Sequence, residues 1–375
     1  MKRKIILSLW SFGVLIAAAA ARFSAIDIGV TPEHNEQRVV RGVMHAHTDL
    51  SHDGKQSLTE LTRDAKRAGL DFVVVSDHNA TLPAPLYSAE GVLVVPATEL
   101  SMSMGHVLAL GMGEAAVSGA KAKLEDLALA DVRRESALVI AAHPDSKKHG
   151  IEDAVLPLFS GYELLSSSSD FYALLRSPRL LWLFGVPISA RAAFSALYPA
   201  RARGAARYDA LPGQPLLTCG ADDHGRIFAP ERLLTYVTYL PTFIPERDAA
   251  ADSKTLVDHL IARESYCALG LFGDASPLSV TVRGAGHFAT IGATVSAPAI
   301  LRVRWQGALP PGHKLYIYKD GERIEATGDA AIERELVQPG RYRIELGRDV
   351  PTFWFGTRHL RWIYTNPIVI TPSAA

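Results

Sequence analysis

The sequence predicts an α/β protein followed by an all-β unit, and three observations carry that prediction. Between residues 39 and 275, apolar runs rich in Val, Ile and Leu alternate with segments of helical period. From residue 276 onward, short alternating strands are separated by turn signals such as Asp320-Gly321 and Pro339-Gly340, with no helical segment between them. Five short clusters of His, Asp and Glu each follow an apolar run in the first region. Repeated βα units read as a parallel α/β barrel or open sheet. The second region, 276–375, reads as a small β-sandwich, immunoglobulin-like in outline.

The elements follow in order. Residues 1–25 carry Lys2-Arg3-Lys4 and then an apolar run from Ile5 to about Ala21. This pattern describes a secretory signal or a single N-terminal membrane anchor. Cleavage and retention are both open, and either puts the remainder outside the cytoplasm, periplasmic or extracellular, because the positive end stays inside. Residues 26–38 form a polar linker. Strands are expected at 39–44, 72–76, 92–97, 107–111, 137–142, 161–165, 216–220, 233–240 and 265–269. Helices are expected at 57–68, 122–135 and 254–263. The first helix opens on a capping box, Ser57 with Glu60, and stops at Gly69. In the β unit, strands are expected at 279–283, 299–305, 314–319, 332–336, 341–346 and 363–370. Its Trp305, Trp354 and Trp362 read as core.

Residues 166–213 fit neither pattern. The stretch holds Trp182-Leu183-Phe184 and six arginines, Arg176, Arg179, Arg191, Arg201, Arg203 and Arg207, with no acid between Asp170 and Asp209. A structureless loop of that length is unusual, so the stretch reads as a helical, Arg-rich insertion over the mouth. Its arginines either snorkel into solvent, form a lid that attracts an anionic substrate, or touch anionic lipid.

Bulk properties bound the function. Lys and Arg number 39 and Asp and Glu number 39; a neutral chain argues against a general nucleic-acid binder, which needs a basic face. Cys219 and Cys267 cannot build a disulfide framework. Cys219 is expected as a small buried hydrophobe, and a Cys219–Cys267 bridge is the less favoured alternative.

The chemistry sits in the clusters: His45-Ala46-His47 with Asp53, Ser76-Asp77-His78, Thr98-Glu99 with His106, His143-Pro144, and Asp222-Asp223-His224. In an extended segment His-x-His puts both imidazoles on one side. Polar groups at the end of a buried strand are costly unless paired or bound to metal. Side chains at successive barrel strand ends converge on one mouth. Imidazoles and carboxylates without thiolates suit a site for several divalent metals. Asp77 and Asp223 either orient imidazoles or cap turns. Glu163, at another strand end, either supports ligands or lines the mouth. Arg226 is either a phosphate clamp or a surface arginine. The remaining histidines, His34, His52, His149, His259, His287, His313 and His359, read as ordinary residues, with His52 and His149 nearest the site.

The order His-x-His, Asp, Ser-Asp-His, Glu, His, His-Pro, Gly-Ala-Asp-x-His resembles that of the polymerase and histidinol phosphatase (PHP) superfamily, over roughly residues 41–270. The leader and the ending Tyr364-Thr365-Asn366-Pro367-Ile368 resemble its exported, carbaryl-hydrolase-like branch. Ala221 stands where that family often has Ser, and the Arg-rich insertion has no general counterpart. The resemblance implies a distorted (β/α)7 barrel over 39–275 and a trinuclear metal centre, commonly of zinc, manganese or iron, in which two or all three divalent ions are bound. It implies one ion on His45, His47, Glu99 and Asp222, a second on Glu99, His106 and His143, and a third on Asp53, His78 and His224. Glu99, Asp222 and Arg226 are then the catalytic candidates, and the expected reaction is hydrolysis of a small phosphate mono- or diester by a metal-bridging hydroxide. A carboxylic ester, carbamate or amide hydrolase on the same centre, and a non-catalytic binding module, are the alternatives.

Overall fold

In the computed structural model, the described residues are 39–146, 148–166, 202–226, 230–284, 286–351 and 357–373. The leader and linker, the insertion from 167 to 201 with Arg176, Arg179, Arg191 and Arg201, and Trp354 lie outside them. Ten strands precede the β unit: β1 (Val40–Ala46), β2 (Phe72–Val75), β3 (Leu86–Tyr87), β4 (Leu93–Met102), β5 (Gly105–Leu110), β6 (Leu138–Ala141), β7 (Gly161–Ser166), β8 (Leu216–Gly220), β9 (Val237–Leu240) and β10 (Tyr266–Ala268). Five helices accompany them: α1 (Leu58–Arg67), α2 (Glu114–Lys121), α3 (Leu129–Glu135), α4 (Ala202–Asp209) and α5 (Ala249–Ile261). The β unit supplies β11 (Leu278–Gly284), β12 (His287–Ala289), β13 (Thr294–Ser296), β14 (Ala299–Trp305), β15 (His313–Lys319), β16 (Glu322–Thr327), β17 (Ala331–Leu336), β18 (Gly340–Pro351), β19 (Thr357–Thr365) and β20 (Ile368–Thr371).

The protein is mixed α/β, mostly sheet. One 16-stranded mixed sheet runs through the molecule, and β12, β11, β14 and β17 form a separate antiparallel sheet. Within the large sheet β1, β2 and β4 are parallel neighbours, as are β6, β7 and β8. Strands β2, β6 and β8 are buried at every position, which is how strands read when both faces are covered. Strand β11 alternates buried and outward residues instead, as a half-solvated antiparallel strand does.

Several expectations change. Instead of a separate βα unit, β4 and β5 form an antiparallel hairpin in which Ser101 pairs with His106. Strand β4 is long, so Glu99 lies inside it rather than beyond its end. Of the helix expected over 122–135 only Leu129–Glu135 is helical, started by Ala128 with an extended backbone as N-cap, and the helix before it, Glu114–Lys121, ends where the expected one begins. The last helix begins earlier than expected, at an N-cap where Asp248 accepts from the Ala251 N–H. The run 363–370 breaks at Asn366-Pro367 into β19 and β20. Helix α1 carries its capping box as expected, and Gly69 closes it at φ 73°, a left-handed geometry that favours glycine.

The β unit is not a detached spacer. Strand β19 pairs antiparallel with β10 and extends the large sheet. Trp305 of the small sheet packs on Trp362 of the large one with ring centroids 5.2 Å apart, and both are buried core residues. The less favoured cysteine state is the one present: Cys219 on β8 and Cys267 on β10 form a disulfide, with Cα atoms 6.0 Å apart. At the other margin of β8, Ala221 N–H donates to Met44 O at 3.0 Å and His47 N–H donates to Asp223 O at 2.8 Å. The segment after β8 therefore lies against the end of β1. Among the described residues no helix is long and apolar enough to cross a membrane.

Candidate metal centre

The nine expected ligands come together at one end of β1, β2, β4, β5, β6 and β8. Local backbone geometry does much of the positioning. His45, His143 and Asp222 have φ of 62°, 29° and 46°. Such values are uncommon for residues with a Cβ, and they concentrate where side chains must be aimed at a site. The register of β1 against β2 shifts between Val43 and Ala46, so His45 and His47 converge through an irregular strand end rather than through simple alternation.

Glu99 is the centre of the cluster and is fully buried. Its Oε2 lies 3.0 Å from His45 Nε2, 3.3 Å from His47 Nε2 and 3.4 Å from His78 Nε2. Its Oε1 lies 2.7 Å from His106 Nδ1 and 2.9 Å from His143 Nε2. The carboxylate is thus divided, one oxygen to each group of imidazoles. Asp222 Oδ1 completes the first group, at 3.4 Å from His45 Nε2 and 3.2 Å from His47 Nε2. Asp53 Oδ2 stands 2.9 Å from His224 Nε2 and 3.5 Å from His78 Nε2, with His47 alongside. His47 and His78 each face two groups, so the three sets share walls.

Hydrogen bonds on the far ring nitrogens fix which nitrogen faces inward. His224 Nδ1–H donates to Asp222 O at 3.0 Å, leaving Nε2 for the site. His45 Nδ1 faces Glu163 Oε1 at 2.9 Å, and its Nε2 is likewise left inward. His47 is fully buried, and neither ring nitrogen makes a hydrogen bond among the described residues. Its Nε2 points between Asp222 and Glu99 rather than along a hydrogen-bond direction. A buried, unbonded imidazole nitrogen is costly in a protein interior and suits a cation ligand.

The electrostatics agree with this. Burial works to raise the Glu99 carboxyl, but His45, His106 and His143 outweigh it and hold it well below the usual range. Burial likewise opposes ionisation of Asp222, and His45, His47 and His143 overcome it. Burial pulls the His47 imidazole down, yet the carboxylates of Asp222 and Glu99 lift it to about 9. His78 goes the other way, to about 4, because burial is joined by the imidazoles of His47 and His106. The carboxylates thus favour positive charge at the His45, His47 and His143 imidazoles. A divalent cation would supply such charge at the same atoms.

Other readings are refined. Asp77 orients no imidazole: it accepts from Thr48 N–H and Thr48 Oγ1, both at 2.7 Å, and so anchors the turn after His47. Asp223 is clasped by Arg232 Nε at 3.0 Å and by Gln56 Nε2 at 2.6 Å, and Arg232 also reaches Asp64. That network ties the loop carrying Asp222 and His224 to the start of α1. Arg207 is committed to Asp145, Asp153 and the carbonyls of Pro144 and Ile151, so this arginine fastens the loop after His143 instead of facing a substrate. Arg226 is exposed and makes no ion pair among the described residues. His52 and His149 are not remote: their rings lie 5.3 Å from His78 and 4.3 Å from His106. Gln56 and Arg232 carried no sequence signal, since their partners are far away in the chain.

No family model and no curated protein matches this chain.

Proposed function

We propose that this protein is an exported, metal-dependent phosphoesterase on a seven-stranded barrel of the PHP type, with a C-terminal immunoglobulin-like sandwich. The hydrogen bonds between the ends of β1 and β8 support closure of β1, β2, β4, β5, β6, β7 and β8 into a barrel. The observation that carries the functional reading is Glu99, whose two oxygens serve two separate groups of imidazoles.

The residues fit three cation sites. His45, His47, Glu99 and Asp222 form the first; Glu99, His106 and His143 the second, with His78 close by; Asp53, His78 and His224 the third. Two or three bound Zn, Mn or Fe ions would activate a water and neutralise charge on a phosphoryl group. Phosphate fits better than a carbonyl because three adjacent cation sites match an oxyanion whose charge spreads over three oxygens; an acyl substrate develops charge on one. His45, Glu99 and Asp222 hold the geometry. The buried site excludes bulk water on its inner side, and Arg226, exposed and two residues beyond His224, would clamp a phosphate if its guanidinium reaches the substrate.

The basic and apolar leader supports export. The Cys219–Cys267 disulfide agrees with it, because such bonds persist in oxidising compartments. The partner is a small phosphate ester, with no specific nucleic acid and with membrane attachment through the N-terminus if the leader is retained.

The test is hydrolysis of bis-p-nitrophenyl phosphate, p-nitrophenyl phosphate and p-nitrophenyl acetate by the purified chain loaded with manganese or zinc. Cleavage of either phosphate, abolished by a chelator and restored by metal, supports the reading. Cleavage of the acetate alone replaces it with a carboxylic ester hydrolase.

A further inference from the structure

Glu163 is a buried carboxylate outside the ligand set, and its two oxygens are spent on two different ligands. Oε1 lies 2.9 Å from His45 Nδ1, and Oε2 accepts the backbone N–H of His143 at 2.6 Å. His45 belongs to the first cation site and His143 to the second. Both residues have positive φ, so both are backbone positions that need an outside hold.

Two further features exist where Glu163 needs them. The register of β7 against β8 shifts between Glu163 and Leu165, and such irregularities re-aim side chains beside active sites. Gly220, the last residue of β8, pairs with Ser166 and lies beside the Glu163 carboxylate. A methyl at Gly220 would lie 1.8 Å from Glu163 Oε1 and 2.8 Å from His45 Cβ. Only glycine leaves the carboxylate its place, and Gly220 leads within two residues to Asp222.

We infer that Glu163 is the positioning residue that couples the first two cation sites, fixing His45 through its ring and His143 through its backbone, with Gly220 providing the room. The inference rests on the metal-centre reading above. A carboxylate on the far nitrogen of a ligand imidazole fixes its tautomer and strengthens it as a ligand, and losing such a partner typically costs about 10–100-fold in metal affinity. Glutamine cannot replace Glu163: its one oxygen can serve His45 Nδ1–H or His143 N–H, and its NH2 then faces the other donor.

Manganese binding to the full chain and to Glu163→Gln, Gly220→Ala and Asp53→Asn would be followed by calorimetry and metal analysis. The expected result for Glu163→Gln and Gly220→Ala is a 10–100-fold loss of affinity for the Glu99-centred ions, on the order given above, with the Asp53 site unaffected. In the Glu163→Ala background the clash with Oε1 is gone but the methyl still lies 2.8 Å from His45 Cβ, so Gly220→Ala should cost less there than in the wild type. The imidazole N–H proton of His45 is the second readout, as a downfield NMR resonance in the metal-free wild type that Glu163→Gln abolishes. Wild-type affinity in a folded Glu163→Gln protein, or persistence of that resonance, overturns the inference and leaves the metal centre standing. A wild-type chain that takes up no ion overturns the metal-centre reading and this inference with it.

Discussion

Asp53 Oδ2 and His224 Nε2 stand 2.9 Å apart although 171 residues separate them in the chain. Neither belongs to the Glu99 groups, and His47 and His78 link them to Glu99. Asp53→Asn keeps the shape and removes the charge. It should lower metal content by one equivalent and leave the Glu99-centred pair loaded. Metal analysis after dialysis reads this directly, and an unchanged content would remove Asp53 from the ligand set.

Glu99→Gln should act differently. This carboxylate faces five imidazoles from two sides, so its loss removes a shared anion from both groups at once. Metal content should fall by at least two equivalents. Phosphodiester hydrolysis should fall on the order of 10³-fold or more, the scale seen when a principal electrostatic group of a reaction site is removed. Retention of both ions in the Glu99→Gln protein would show that the carboxylate does not bridge.

The Cys219–Cys267 bond spans 48 residues and joins β8, which leads into Asp222, to β10. Closing a loop of that length removes unfolded-chain entropy worth about 4 kcal/mol in the chain-entropy treatment. The Cys219→Ala/Cys267→Ala protein should unfold at lower urea, with a loss of that order. In unreduced, denatured wild type no thiol should label with maleimide. Labelling of two thiols there would remove the bridge and its support for an oxidising compartment.

His313 predicts an acid dependence. Burial pushes its imidazole down to about 4 from the ordinary 6.5, with the Arg348 guanidinium adding to the shift. Its Nδ1–H donates to Pro310 O at 3.2 Å, and its ring meets Trp362 edge-on. A depressed pKa means that the unfolded chain binds this proton first. The contribution is therefore complete above pH 6.5 and is lost as the pH falls towards 4. The loss is about 3 kcal/mol at 1.4 kcal/mol per pH unit. His313→Phe should unfold with a flatter profile across that window. Comparing urea midpoints of the two proteins at several pH values isolates this residue from the site histidines. Parallel profiles would show that His313 does not stay neutral when folded.

Most of the ligands are legible because they follow runs too apolar to tolerate an unpaired imidazole or carboxylate, whereas Asp53 lies in a turn-like segment and His106 begins a strand, so that their assignment leans on the family resemblance. That logic located His45, His78, His143 and Asp222 without any knowledge of what they face. It failed where orientation depends on three dimensions. Glu163 is named by the sequence only as a ligand support or a mouth residue, and what separates the two is a register shift in β7 and Gly220 beside its carboxylate. Arg232 and Gln56 find Asp223 across long stretches of chain. Two lone cysteines carry no spacing pattern, so their bond was under-read. Glu99 was placed at a strand end because alternation does not distinguish a short strand from the first half of a long hairpin strand. The β unit was recognised from turns and alternation, but its continuity with the large sheet through β10 and β19 leaves no mark on either strand's composition.

Asn366 makes that continuity testable. Its side chain accepts from Leu217 N–H at 2.7 Å and donates to Leu217 O and Ser265 O, each at 3.0 Å. It is fully buried, so Leu217 N–H and Leu217 O lose this partner when the amide is removed, while Ser265 O keeps the Asn366 backbone N–H at 3.3 Å. Leu217 is on β8, five residues before Asp222, and Asn366 follows β19. Asn366→Ala should destabilise the protein by about 3 kcal/mol, since each buried polar group left unsatisfied costs about 1–3 kcal/mol. Asn366→Asp should be no better, because an ionised carboxylate cannot donate to the two carbonyls. The displacement of β8 should also weaken metal binding at the Asp222 site before the fold is lost. Urea unfolding and manganese titration of the two variants give both values. Wild-type stability in Asn366→Ala would mean that the pairing of β10 and β19 alone holds the β unit to the sheet.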